Sequence, residues 1–103
     1  MSERLKATRG SGNVFADLGF AEDEAHNLAL RAELMLRVER FVKDSEQTQQ
    51  QAAKALGITQ PRLNQLLKGK IADFSLDALV NMLSRAGLRV ELKVKRAPAR
   101  KAA

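Results

Sequence analysis

Between residues 60 and 68, the chain concentrates polar side chains that can pair with the edges of DNA bases. They are amides and cations: Gln60, Arg62, Asn64, Gln65 and Lys68. Amide side chains pair bidentately with adenine and guanidinium groups with guanine in the major groove. From residue 48 to residue 70 there are four Lys or Arg and no Asp or Glu, which suits a surface that approaches phosphates. These residues predict a contact with duplex DNA.

Two short helices joined by a glycine are predicted to position these side chains. Thr48 can cap the first helix, and its apolar residues fall at helical spacing: Ala52, Ala53 and Leu56. Gly57 is expected to end this helix in the left-handed conformation. Ile58 is then expected to fill the corner before the second helix.

The second helix is predicted to begin at Gln60, with Thr59 as its cap and Pro61 in its first turn. Its apolar residues share one face, so the amides and cations point elsewhere: Leu63, Leu66 and Leu67. The layout is that of a helix-turn-helix DNA reader. The alternative is a pair of packing helices with solvated amides. It is less favoured because the caps, the glycine, the corner residue and the acid-free face coincide.

Longer helices are predicted on both sides of this pair. Acidic residues 22–24 suit the start of a helix that continues to about Lys43. Its later apolar residues are expected to pack behind the pair: Leu34, Val38, Phe41 and Val42. Its earlier ones exceed what a minimal three-helix reader needs: Leu28, Ala32, Met35 and Leu36. Two possibilities stay open for these early turns, a subunit or partner interface and a cover for the N-terminal segment. After residue 74, Ser75 is expected to cap a last helix that Gly87 ends.

The C-terminal part of the chain changes to a period of two, which indicates a strand. Its apolar residues alternate with charged ones: Leu88, Val90, Leu92 and Val94. Because no other segment offers a clear strand partner, we expect pairing with the same strand of a second copy or with a strand of another protein. A symmetric dimer would present two reader helices to half-sites about 34 to 36 Å apart, so the predicted target is an inverted repeat.

The sequence thus divides into four predicted regions. They are an irregular N-terminal segment (1–20), a helix-turn-helix domain (21–87), a dimerisation strand (88–96) and a disordered basic tail (97–103). Four apolar residues of the first segment are costly to leave in water: Val14, Phe15, Leu18 and Phe20. Two possibilities stay open for them, since they can fold back onto the domain or dock on a partner.

Composition restricts the functions that the chain can have. Its 103 residues suit one small domain, and with no Cys and one His we expect no disulfide, metal site, cofactor or catalytic centre. No apolar run is long enough to span a bilayer, and residues 1–12 lack a signal-peptide pattern, so a cytoplasmic, nucleoid-associated protein is expected. The net charge is +6, and residues 89–103 hold six basic residues against one acidic residue. This basic C-terminal part (89–103) either binds phosphates without sequence preference or is simply solvated.

Three segments together resemble the XRE (lambda-repressor-like) helix-turn-helix family: 49–69, 74–80 and 87–94. They are similar in particular to the HigA-type antitoxins of toxin-antitoxin operons, and residues 12–20 look like the leading segment of that subgroup. The resemblance implies a mainly α, lambda-repressor-like bundle with one C-terminal β-strand that pairs across a dimer. It also implies a transcriptional repressor that binds its own operator and neutralises a toxin, usually an RNA-cleaving enzyme. A stand-alone regulator of the same family is the alternative.

The resemblance also assigns site residues. Gln49 would touch a phosphate, Gln60 and Arg62 would lie nearest the base edges, and Gln65 would reach a flanking base. The remaining polar residues would mainly contact the DNA backbone: Thr59, Asn64 and Lys68. Pro61 departs from many relatives, which place a hydrogen-bonding residue there, and its ring offers only apolar contact, for example to a thymine methyl. The apolar residues between 14 and 20 would hold the toxin.

Overall fold

The computed structural model describes residues 13–96, which form five α-helices and one 3-10 helix. The α-helices are α1 (Val14–Asp17), α2 (Glu22–Ser45), α3 (Gln49–Leu56), α4 (Gln60–Leu67) and α5 (Leu76–Arg85), and the 3-10 helix (Ile71–Asp73) lies between α4 and α5. The predicted mainly α architecture is confirmed. Residues 1–12 and the predicted basic tail (97–103) lie outside the described residues.

Side-chain caps fix where the helices begin. The Thr48 hydroxyl accepts a hydrogen bond from the backbone N–H of Gln51 at 3.1 Å, and the Gln51 side chain accepts one from the backbone N–H of Thr48 at 3.2 Å. This reciprocal capping box satisfies two N–H groups at the start of α3. Thr59 and Ser75 cap α4 and α5 in the simpler way. All three predicted caps are present, whereas the return bond from Gln51 was not predicted.

The core lies between α2 and the three helices that follow it. Its fully buried large side chains come from four helices and from the loop before α5: Val38, Leu56, Leu63, Phe74, Leu79 and Met82. The later apolar residues of α2 pack here as predicted, with Val38 fully buried and Leu34, Phe41 and Val42 half-buried against the cluster. The long helix therefore forms the back support for α3 and α4.

The early turns of α2 contact the N-terminal segment, which is one of the two possibilities that the sequence left open. Met35 belongs to the main core, and Ala25 and Leu28 are buried as well. The helix α1 packs against α2, and the Asn13 side chain at its start donates to the carbonyl of Ala25. The first turns of α2 therefore bury apolar side chains because the segment that precedes the helix folds back onto it.

The N-terminal segment is more ordered than predicted over its described part, because it contains a one-turn helix. The Asn13 side-chain oxygen caps α1 by accepting from the Phe15 N–H at 2.9 Å, while its amide nitrogen donates to the Ala25 carbonyl at 3.1 Å. The rings of Phe15 and Phe20 meet edge to face, with centroids 6.2 Å apart, a favourable aromatic geometry. Asn13 therefore both starts α1 and fastens it to α2.

No strand is present among residues 13–96. The Leu88 N–H donates to the Leu83 carbonyl at 2.9 Å, which closes the end of α5, and Val90 is half-buried against the core. Beyond it the side chains turn outward, with Leu92 81% and Val94 93% exposed. Because a strand is defined by hydrogen bonds to a neighbouring strand, pairing across a dimer requires a second chain. The C-terminal strand and the dimer stay predictions.

The Gly57 turn gives a stability prediction. Gly57 has φ +78°, and a Cβ there would lie 2.5 Å from Arg85 Cδ. Because Arg85 is an exposed, flexible side chain, we expect it to move aside and Gly57→Ala to lower the free energy of unfolding by about 1 to 2 kcal/mol, the left-handed backbone term alone. Gly69→Ala is the control, since Gly69 has φ +81° and open space around it. Denaturant unfolding should give similar losses, whereas a much larger loss at Gly57 that Arg85→Ala relieves would contradict this.

Candidate nucleic-acid interface

The helices α3 and α4 meet through small and branched apolar side chains around a tight turn. Ala52 and Ala53 are buried on α3, opposite the buried leucines of α4. Gly57 adopts the left-handed conformation, and the N–H of Ile58 donates to the Ala53 carbonyl at 3.0 Å. Ile58 then packs half-buried against the core. The predicted helix-turn-helix geometry is confirmed.

The polar residues predicted to touch DNA lie at the surface, with one exception. Seven are exposed: Gln49, Thr59, Gln60, Pro61, Asn64, Gln65 and Lys68. Gln60, Asn64 and Lys68 follow one another at intervals of four, so they share one face of α4. The structure thus brings most of the predicted DNA-contacting residues of α4 onto its outer side. Gln49 is the first residue of α3.

Arg62 is the exception, because its side chain is half-buried and turned toward the domain. The centre of its guanidinium lies 4.3 Å from the centroid of the Phe74 ring. Its Nη2 donates to the backbone carbonyl of Asp73 at 3.0 Å. The Arg62 guanidinium was predicted to lie nearest the base edges. In the isolated protein it instead has two partners within the domain, the Phe74 ring and the Asp73 carbonyl.

A second arginine, Arg31, binds the same loop, and this role was not predicted from the sequence. Arg31 of α2 uses Nη1 to donate to the carbonyls of Ile71 and Phe74, both at 3.3 Å, and its Nε donates to Asn27 Oδ1 at 2.8 Å. Asn27 is four residues earlier on the same helix, a spacing that sequence reveals. The carbonyl partners are 40 and 43 residues away, and a single sequence gives no signal for them.

Charge is unevenly divided between the front and the back of the domain. Residues 48–70, which hold α3 and α4, carry four basic residues and no acidic one, whereas residues 13–47 carry four basic residues and eight acidic ones. An anionic duplex is therefore attracted to the part of the chain that exposes the amides. Among residues 13–96 there is no cluster of three or more potential metal-ligating side chains, and no helix there is long and apolar enough to cross a membrane.

The four residues predicted to bind a partner differ in exposure. Phe15 is half-buried and lines an apolar groove of about 360 Å³, together with residues of α2, α4 and the 3-10 helix such as Met35, Leu66 and Ile71. The other three remain exposed, by 44%, 69% and 42%: Val14, Leu18 and Phe20. Phe15 therefore helps to hold α1 on the domain. The apolar side chains that remain open to solvent are those of Val14, Leu18 and Phe20.

Comparison with known proteins agrees with this geometry. The model of a helix-turn-helix domain family matches residues 14–95, from the start of α1 to the segment after α5. The chain belongs to this family. No curated protein matches it. The broader resemblance to helix-turn-helix proteins is thus shown, whereas the HigA-type subgroup stays a prediction.

The cap of α4 gives a prediction for this helix-turn-helix domain. The Thr59 hydroxyl accepts from the Arg62 N–H at 3.3 Å, so Thr59→Ala removes a partner from an N–H group at the start of the reading helix. We expect a loss of about 0.5 to 2 kcal/mol in the free energy of unfolding, measured by denaturant titration without DNA. Thr59→Ser keeps the hydroxyl and should stay within a few tenths of wild type. Equal losses in both variants would show that the hydroxyl does not cap the helix.

Proposed function

We propose that this helix-turn-helix protein is a sequence-specific transcriptional regulator that reads duplex DNA with α4. The observation that carries the proposal is the exposed polar face of α4, free of acidic residues, on a helix that is capped by Thr59 and supported from behind by α3. Amide groups on such a face can reach base edges once the helix enters the major groove. The proposal includes no catalytic activity and no cofactor.

The proposed division into base contacts and backbone contacts is the one that the family resemblance implies, and the exposure of these side chains is compatible with it. Gln60 and Gln65 are the candidate base readers, because an amide both donates and accepts and so matches adenine. The backbone contacts fall to Gln49, Thr59, Asn64 and Lys68, since phosphate contacts set register without reading sequence. Pro61 offers an apolar surface to a thymine methyl. Lys68 adds a positive charge that any duplex attracts, so it contributes affinity without sequence preference.

The finer proposal is that two copies bind an inverted repeat and repress transcription. Residues 88–96 are the candidate dimer segment, because Leu92 and Val94 are exposed while the neighbouring positions are charged, a pattern typical of an unpaired strand. Pairing with a second copy would remove these apolar side chains from water and satisfy the backbone groups. It would also set two copies of α4 apart by a fixed distance, which is what two half-sites require.

The finest level of the proposal is an antitoxin role, in which the protein also binds and neutralises a toxin. The observation that favours it is the exposed apolar set on and beside α1, namely Val14, Leu18 and Phe20, which lies outside the DNA-reading helices. Exposed apolar side chains that join into one patch are typical of a protein contact. A stand-alone regulator without a toxin partner is the alternative.

Base reading by Gln60 can be tested by selecting DNA sites from a random duplex pool and measuring affinities at one fixed salt concentration. We expect Gln60→Ala to weaken binding to the selected site by about 1 to 3 kcal/mol and to relax preference at one base pair, with little change on random DNA. Lys68→Ala is the contrasting control, because loss of a phosphate contact should weaken both equally. Equal loss on both DNAs for Gln60→Ala would exclude base reading.

The same selection reports whether the protein binds as a dimer. A dimer predicts a selected inverted repeat whose half-sites lie about 10 to 10.5 base pairs apart, or a multiple of that spacing. Selection of a single half-site at saturating protein would argue against the dimer and leave base reading intact.

The antitoxin role gives a prediction for the exposed residue Leu18. Tagged protein from native extract, treated with nuclease, should retain a second protein in stoichiometric amount, and Leu18→Asp should abolish its retention because burying a charge at an apolar contact is costly. DNA binding should persist. A point variant is preferable to removal of residues 1–20, since α1 packs against α2. Asn81→Asp, at an exposed position of α5 that takes part in none of the proposed contacts, is the control for the added charge.

Recovery of only the protein itself would contradict the antitoxin role and support the stand-alone regulator. Retention of a partner by both Leu18→Asp and wild type would show that the partner binds elsewhere.

A further inference from the structure

Arg62 differs from the other polar residues of α4, because its guanidinium packs on the domain instead of facing solvent. We infer that Arg62 positions the DNA-reading helix, acting through Phe74, and does not itself read a base. This inference rests on the DNA-binding function proposed for α4. It assigns Arg62 a role different from the one that family resemblance implies.

The geometry uses two properties of the guanidinium at once. Its central carbon lies over the Phe74 ring, 4.3 Å from the ring centroid, and its Nη2 donates to the Asp73 carbonyl at 3.0 Å. A planar cation can lie over an aromatic ring and donate from its rim at the same time, with its N–H groups held in one plane, unlike those of a lysine ammonium. The contact therefore suits arginine better than lysine.

Phe74 is a fixed point on which such a contact can act. Its side chain is fully buried in the core, and it directly precedes Ser75, which caps α5. Its backbone carbonyl accepts a hydrogen bond from Arg31 of α2. Arg62 thus connects the first turn of α4 to a residue that α2 and α5 already hold in place.

The reading helix needs this connection because it is short. An isolated helix of eight residues is marginal in water, so tertiary contacts determine where it points. Its inner leucines fix the helix against the core, and Arg62 adds a contact on the flank of the first turn, where Gln60 lies. A small rotation of this turn would displace every polar group of α4 relative to the groove.

To read a base, the Arg62 side chain would have to move away from the domain. The guanidinium would have to leave the Phe74 ring and the Asp73 carbonyl before it reached guanine, so the new contacts would first have to replace the old ones. The Asp73 carbonyl would also lose a donor. The exposed amides of α4 need no such exchange, which leaves the reading of bases to them.

The test compares Arg62→Ala with Gln60→Ala in the full chain, by site selection and by affinity for selected and random duplexes. We expect Arg62→Ala to keep the wild-type consensus and to weaken both duplexes by the same factor, about two- to fivefold. The salt dependence of binding should keep its slope. Gln60→Ala should instead lower the ratio of selected to random affinity by roughly 5- to 150-fold. Arg37→Ala, at an exposed position of α2, controls for the lost charge.

Phe74→Leu provides the second readout, because a fully buried side chain cannot touch DNA. We expect it to weaken both duplexes as Arg62→Ala does, and the double variant Arg62→Ala/Phe74→Leu to be no weaker than the weaker single variant. Thermal unfolding without DNA should show the same pattern, with the double variant losing less stability than the sum of the losses in the two single variants, each measured against wild type. If Phe74→Leu does not fold, the result for Arg62→Ala alone tests the inference, since Arg62 is only half-buried and is not part of the core.

Three results would overturn the inference and leave the proposed function standing. They are a changed consensus at one base pair in Arg62→Ala, a salt slope lower by about one, which marks a lost phosphate contact, and additive effects of the two substitutions. A wild-type protein that selects no sequence would instead overturn the proposed function, and the positioning role of Arg62 in DNA reading with it.

Discussion

The close contact between α3 and α4 is the constraint on which the rest of the structure depends. Ala52 and Ala53 are small enough for the two helices to pack closely, and the left-handed Gly57 reverses the chain within a few residues. Because both inner faces are then buried, the amides of α4 must face outward. The long helix α2 contributes the remaining wall of the core. Enlarging either alanine would separate the helices, and the outward face would no longer be fixed.

Local signals explain why so much of the fold could be predicted. A cap depends on residues within one turn, so Thr48, Thr59 and Ser75 were identified from sequence, as were the helices that they begin. The inner face of α4 followed from helical spacing in the same way. The C-terminal alternation is also a local signal, but a strand needs a neighbouring strand, and residues 13–96 contain none. That prediction therefore stands on pattern alone.

Contacts between distant residues could not be predicted, and they changed the interpretation of individual side chains. Arg62 has the chemistry of a guanine reader in any sequence, yet here it stacks on Phe74, twelve residues later. For the early turns of α2, the sequence left open whether a partner or the N-terminal segment covers them, and only the tertiary fold places α1 there. In both cases the identity and spacing of the residues were read correctly, whereas their partners depended on the tertiary fold.

The uneven charge of the domain has a consequence for how it meets DNA. With a net excess of four acidic residues in α1 and α2 and their connections, and four uncompensated basic residues from Thr48 to Lys70, the molecule has a permanent electric dipole moment. In the field of a polyanion such a molecule experiences a torque before it makes contact, so collisions would favour the orientation with α4 toward the groove. The rate of productive encounter, and not only the affinity, would then decline as added salt shortens the Debye length.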